Sequence, residues 1–160
     1  MIFRHAEKSD IDTLIQLRLA YIAEDFGELS EVEEQALKAV LPQYFQMHLN
    51  CDMEAFLAVE KNDIIGIAML VMIEKPANPR FITGKTGTVL NVYVKPENRR
   101  QGIGTRLISL LIDFAEQQQL DYIELKATKD GYPLYKKLGF IEEKPHYIPM
   151  RYRFNRENVF

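Results

Sequence analysis

With 160 residues, 47% of them apolar and 27% charged, the chain is long enough to bury one core and reads as a single soluble domain, 1–160. A net charge of −3 gives no general reason to expect nucleic acid or anionic membrane as a partner, so any cationic site must be local. The start MIFRHAEKSD lacks an apolar signal core, the longest apolar run (64–73) is too short to cross a bilayer, and a lone cysteine excludes an internal disulfide or a cysteine-built zinc cage.

A cytoplasmic enzyme without a metal is therefore expected, with Cys51 as a half-buried small residue. IFRHA (2–6) reads as a first strand. Ser9 and Asp12 have capping-box spacing, and Ile11, Leu14, Ile15, Arg18, Leu19 and Ile22 recur at helical intervals, which predicts a helix from about Ser9 to about Glu24. A second box, Ser30 with Glu33, opens a helix toward Met47 that Pro42 is expected to kink or divide. AFLAVE (55–60) and IIGIAMLVMIE (64–74) flank the short KND loop of a β-hairpin. The stretch 75–87 is long for a hairpin connection, a length often tied to function. TVLNVYV (88–94) is the next strand, stopped by Lys95-Pro96. Positions 103, 107, 110, 111 and 114 form one apolar helix face. YIELKA (122–127) reads as a further strand, a short helix follows around 131–138, and FIEE with YIPMRYRF suggests a closing hairpin. The order is mixed α+β with a parallel crossover from 88–94 to 122–127.

The segment VYVKPENRRQGIGTRL (92–107) places two arginines and two glycines between a strand and a helix. A helix N-terminus offers unpaired N–H donors and the positive end of the macrodipole, and bare glycine lets an anion approach that backbone. A dinucleotide fingerprint would need a third glycine where Leu107 stands, and a P-loop ending at GKT (84–86) would need one where Pro79 stands. What does match is Arg99-x-x-Gly102-x-Gly104 directly after an apolar strand, with LYKKLGF (134–140) about thirty residues later.

On these two motifs the chain resembles the GCN5-related N-acetyltransferase (GNAT) family. The resemblance is sharp over about 88–141, and the element order is compatible across the whole chain. It implies a central mixed, mostly antiparallel sheet flanked by helices, with a splayed parallel strand pair, and it implies acetyl-CoA as co-substrate. In that family the strand carrying Val92, Tyr93 and Val94 would pair with pantetheine at a bulge. Arg99, Arg100, Gln101, Gly102, Ile103, Gly104 and Thr105 would form the pyrophosphate loop. Tyr135 matches the tyrosine that protonates the departing thiolate, a role within reach of a phenol at neutral pH. Many members carry an asparagine seven residues before that tyrosine; here the position is Thr128, which can still hydrogen-bond to the CoA arm.

Many members also carry a glutamate base on the pantetheine strand, and TVLNVYV has none. Glu24, Asp25, Glu28 and His146 are the remaining candidates. The acceptor implied is a small-molecule or peptidyl amine, and a homodimer follows by analogy. AEDFGELSEVEE (23–34) holds six carboxylates, which would either draw in a cationic amine or serve the helix starts around them. YFQMH (44–48) and RYRF (151–154) are aromatic stretches fit to line a pocket or to pack in a core or dimer. A non-catalytic acyl-CoA sensor is the alternative function, and Tyr135 argues against it.

Overall fold

Lys61 (φ 50°) and Asn62 (φ 67°) are both left-handed, the geometry of a two-residue turn whose twist suits a hairpin. They join β2 (Met53–Glu60) to β3 (Asp63–Glu74), with Glu60 opposite Asp63. The computed structural model describes residues 1–154, in one compact unit spanning Met1–Lys126 and a second beginning at Ala127. In the first unit, β1 (Ile2–His5), β2, β3, β4 (Lys85–Val94) and β5 (Ile123–Glu124) form one sheet in that order. Every neighbouring pair is antiparallel except β4 and β5.

Helices α1 (Ile11–Phe26) and α2 (Glu31–His48) cover one face. Leu14, Leu17 and Phe45 meet Met53, Ala55, Leu57, Ile67 and Met69 there in one buried cluster. Helix α3 (Ile103–Gln117) covers the other face with a buried stripe of Ile103, Leu107, Ile108, Leu111 and Ala115. Burying an aliphatic side chain stabilises by roughly 1.5–3 kcal/mol, so this stripe is a major term in holding α3 down. Gly66 sets how closely the helix sits: a Cβ there would lie 3.1 Å from Ile103 Cγ2 and 3.2 Å from Leu107 Cδ1. Gly66 also lies opposite Val94 in the register of β3 with β4.

Several sequence expectations change. The first helix does not begin at a Ser9–Asp12 box. A 3-10 turn, Lys8–Asp10, precedes α1, and the Asp10 carboxylate takes the Glu7 N–H at 2.8 Å and a two-pronged Arg4 contact at 2.7 and 2.9 Å. Arg4 on β1 thus fixes where the helix starts. The Ser30 box forms as expected, with Ser30 N–H donating to Glu33 Oε2 at 2.9 Å. Pro42 does not divide α2, because both Pro42 and Lys38, whose carbonyl loses its partner, lie toward water.

The loop after β3 is shorter than expected because β4 starts at Lys85, and it is pinned rather than open. Lys75 N–H donates to Gly84 O, and Thr83 is held to Asp121 by a 2.6 Å hydroxyl bond. Cys51 is exposed in the turn after α2, not half-buried.

The second unit holds α4 (Tyr132–Lys137). The closing hairpin expected over 140–143 and 147–154 is not formed by the described residues. Ile148, Met150, Tyr152 and Phe154 keep the alternation of a strand, yet all are exposed, so alternation without a partner edge did not make a strand. Among the described residues, no helix is long and apolar enough to cross a membrane.

Candidate functional site: a bulged strand, an uncapped helix and an arginine-lined cavity

Strand β4 changes phase midway. Met69 opposes Leu90 and Ile67 opposes Tyr93, so two steps on β3 face three on β4. The extra residue is accommodated at Asn91, whose φ of 49° is one that asparagine tolerates better than β-branched neighbours would. On its other side β4 pairs with β5 only at Gly87–Ile123 and Thr88–Glu124. Beyond Thr88 the β5-facing edge, including Val92, Tyr93 and Val94, has no strand partner among the described residues. This is the splayed parallel pair that the resemblance implied.

Beyond β4, the chain passes through Arg100 (φ 60°) and Gly102 (φ 77°) into α3. Gly102 is the N-cap, with no side-chain cap and no acidic residue in the first turn. Arg106 N–H donates to Gly102 O at 3.0 Å, which leaves the N–H groups of Ile103, Gly104 and Thr105 without intrahelical acceptors. A Cβ at Gly102 would meet nothing within 4 Å, so the space beside the N-cap itself is open. The site is shaped for an anion.

The arginines divide their work differently from the expectation. Arg100 and Gln101 are exposed on the turn. The Arg99 side chain turns back along Tyr93, donates to Val94 O at 2.8 Å and pairs with Glu24 at 2.6 Å. Glu24 is thereby engaged, as is Glu33 at its cap and Glu34 in a 2.5 Å pair with Lys38. At least three of the six carboxylates in 23–34 therefore serve the fold.

In the second unit, Thr128 Oγ1 accepts the Gly131 N–H at 3.1 Å and Thr128 O accepts the Tyr132 N–H, building the turn that starts α4. Tyr135 is half-buried one turn on, edge-on to Phe140 at 5.7 Å. Phe140 N–H closes on Tyr135 O at 3.0 Å, so the Leu-Gly-Phe segment holds the tyrosine from behind. His146 is exposed, against the ring of Tyr147.

Sequence reasoning missed one further group. Between α1, α2 and the sheet lies a cavity of about 330 Å³ lined by Leu41, Tyr44, Phe45, Met69, Leu90 and Arg18, among others. The Arg18 guanidinium donates to Asn91 Oδ1 at 3.2 Å and lies 5.9 Å from the Tyr21 ring centre. Burial pushes its pKa down, opposed by Tyr21 and Tyr44. The available signal was a cation within the otherwise apolar stripe of α1.

The description of the family model that matches residues 18–140 is "Acetyltransferase (GNAT) family". Among solved structures, a predicted acetyltransferase with acetyl-CoA from Clostridium acetobutylicum is 28% identical, with a TM-score of 0.81 over 94% of this chain and 95% of that one. A Trypanosoma brucei acetyltransferase is 25% identical, with a TM-score of 0.65 over 96% and 99%. A possible acetyltransferase from Clostridium difficile, 17% identical, shares the fold with a TM-score of 0.78 over 97% and 98%. No curated protein sequence matches.

Proposed function

Because the chain belongs to the GNAT family of acetyltransferases, we propose that it transfers the acetyl group of acetyl-CoA to a primary amine by direct attack. One observation carries the reading: a strand with a bulge and an open edge runs into a helix start that lacks a cap and an acid. The C. acetobutylicum relative with acetyl-CoA supports the choice of donor.

On this reading the pyrophosphate sits on the N–H groups of Ile103, Gly104 and Thr105, with Arg100 and Gln101 alongside and Gly102 giving access. Arg99 contributes through its backbone, since its side chain is held by Glu24 and Val94 O. The pantetheine amides lie along Val92, Tyr93 and Val94, where a strand is missing. Thr128, already accepting from Gly131, offers its hydroxyl proton as a donor to the CoA arm.

The amine nitrogen attacks the thioester carbon, a C–N bond forms and the C–S bond breaks. Tyr135 gives its phenolic proton to the departing sulfur. The nitrogen loses one proton, so the net movement is one proton from nitrogen to sulfur. Backbone donors at the bulge stabilise charge on the carbonyl oxygen, the kind of preorganised dipole that is most effective away from water.

The test is acetyl transfer to a panel of amines, read by product mass because exposed Cys51 would react with thiol dyes. Tyr135→Phe is expected to lower kcat about 100-fold. Its affinity for acetyl-CoA, by calorimetry, should stay within about twofold. Equal turnover in the variant removes Tyr135 from the mechanism.

A further inference from the structure

The cavity beside β4 is chemically lopsided. Its walls are apolar, and the charged group among its lining residues is the Arg18 guanidinium. Arg18 has no carboxylate partner among the ion pairs of the described residues; its guanidinium lies against Asn91 Oδ1 and near the Tyr21 ring. Asn91 is 3% exposed, and its amide Nδ2 is a buried donor with no acceptor among the described residues. A half-buried cation without a counter-charge is costly and calls for an oxyanion.

We propose that the amine accepted by this site carries a carboxylate on an apolar body, an apolar α-amino acid being the simplest such molecule, with its carboxylate on Arg18 and its side chain in the cavity. This rests on the acetyl-transfer reading above. Three observations select that occupant. Arginine forks match carboxylates in two-pronged geometry. A volume of about 330 Å³ lies at the small end of ligand sites and suits a molecule of that size. Arg18 donates to Asn91 of the bulge itself, which ties the carboxylate's anchor to the strand that would present the thioester. A polyamine would bring positive charge to Arg18, and a plain acyl chain would leave the guanidinium unanswered. The cavity opens to solvent past Val40, Tyr44 and Leu90, which are 60%, 37% and 41% exposed.

The experiment compares kcat/KM for leucine, leucinamide and spermidine with acetyl-CoA, in wild type, Arg18→Met and Arg18→Lys, with circular dichroism checking that each variant is folded. A parallel arm offers succinyl-CoA with leucinamide. Binding of N-acetylleucine and N-acetylleucinamide is measured by thermal shift. Wild type is expected to favour leucine over leucinamide by about 10- to 100-fold, the size of one charged hydrogen bond. R18M should collapse that ratio, and R18K should restore part of it. Equal use of leucine and leucinamide, or a preference for spermidine, overturns the inference and leaves acetyl transfer standing. Arg18-dependent use of succinyl-CoA also overturns it, by assigning the arginine to the acyl group. If no amine is acetylated although acetyl-CoA binds, the transfer reading fails. The binding arm then decides the inference separately: Arg18-dependent capture of N-acetylleucine supports it, and no such capture overturns it.

Discussion

Helices α2 and α3 begin in opposite ways. At α2, Ser30 and Glu33 answer each other's N–H groups, and Glu31, Glu33 and Glu34 place negative charge on the positive end of the dipole. At α3 there is no side-chain cap and no acid in the first turn, only a left-handed glycine with clear space over it. Their faces differ in the reverse sense. Helix α3 buries five residues and α2 buries only Phe45. A helix start left without local satisfaction is thus carried by a helix held more firmly from below than α2 is. The lesson is that a helix end open to an anion is recognised by what the chain withholds from it, and that packing elsewhere offsets the omission.

The comparison breaks most severely with Gly102→Asp. This variant gives α3 the kind of start that α2 has, with a carboxylate at the N-cap, and it forces a side chain into φ 77°. Acetyl-CoA affinity, by calorimetry, should fall by at least about 100-fold through charge repulsion and lost access. Leu107→Ala attacks the support instead. Leu107 is fully buried, so urea unfolding should register a loss of about 2–5 kcal/mol.

A third helix start, that of α1, extends the contrast to acid. The Arg4 hydrogen bonds hold the Asp10 carboxylate below the usual aspartate range. A lowered folded-state pKa means that this stabilisation is complete above the ordinary aspartate pKa and is lost as pH falls through the lowered value. Asp10→Asn should cost about 1–3 kcal/mol at neutral pH and should flatten the acid limb of a melting-temperature profile taken from pH 7 downward. The smallest effect belongs to Ser30→Ala, about 0.5–2 kcal/mol, with no change in acetyl-CoA affinity. A matched loss of affinity there would erase the distinction between the two helix starts.

What could be read from the sequence follows from the range of the interactions. The Ser30 box, the β2–β3 hairpin, the α3 stripe and the glycine–arginine turn all arise within a few residues of chain, and each left a local signature. The bulge at Asn91 depends on how β3 and β4 register, which alternation alone does not encode. Arg18 was visible only as a charged residue at an apolar helical position, because its partner Asn91 lies 73 residues away. The helix start near Ser9 moved because Arg4, on another element, claims Asp10. The closing strands illustrate the converse: 148–154 carries the right alternation, yet among the described residues no edge pairs with it.

Gly66 has a wider reach than its own contacts suggest. It lies under the first turn of α3 and opposite the end of β4, so one absent side chain gauges the separation between the two surfaces that would grip opposite ends of the CoA arm. The length of that arm is covalent and cannot adapt to the protein. On the acetyl-CoA reading, the calibration is held in a neighbouring strand and not by the residues that would touch the ligand. Any side chain at Gly66 would act as a shim, mis-spacing a site whose every ligand-facing residue was still in place.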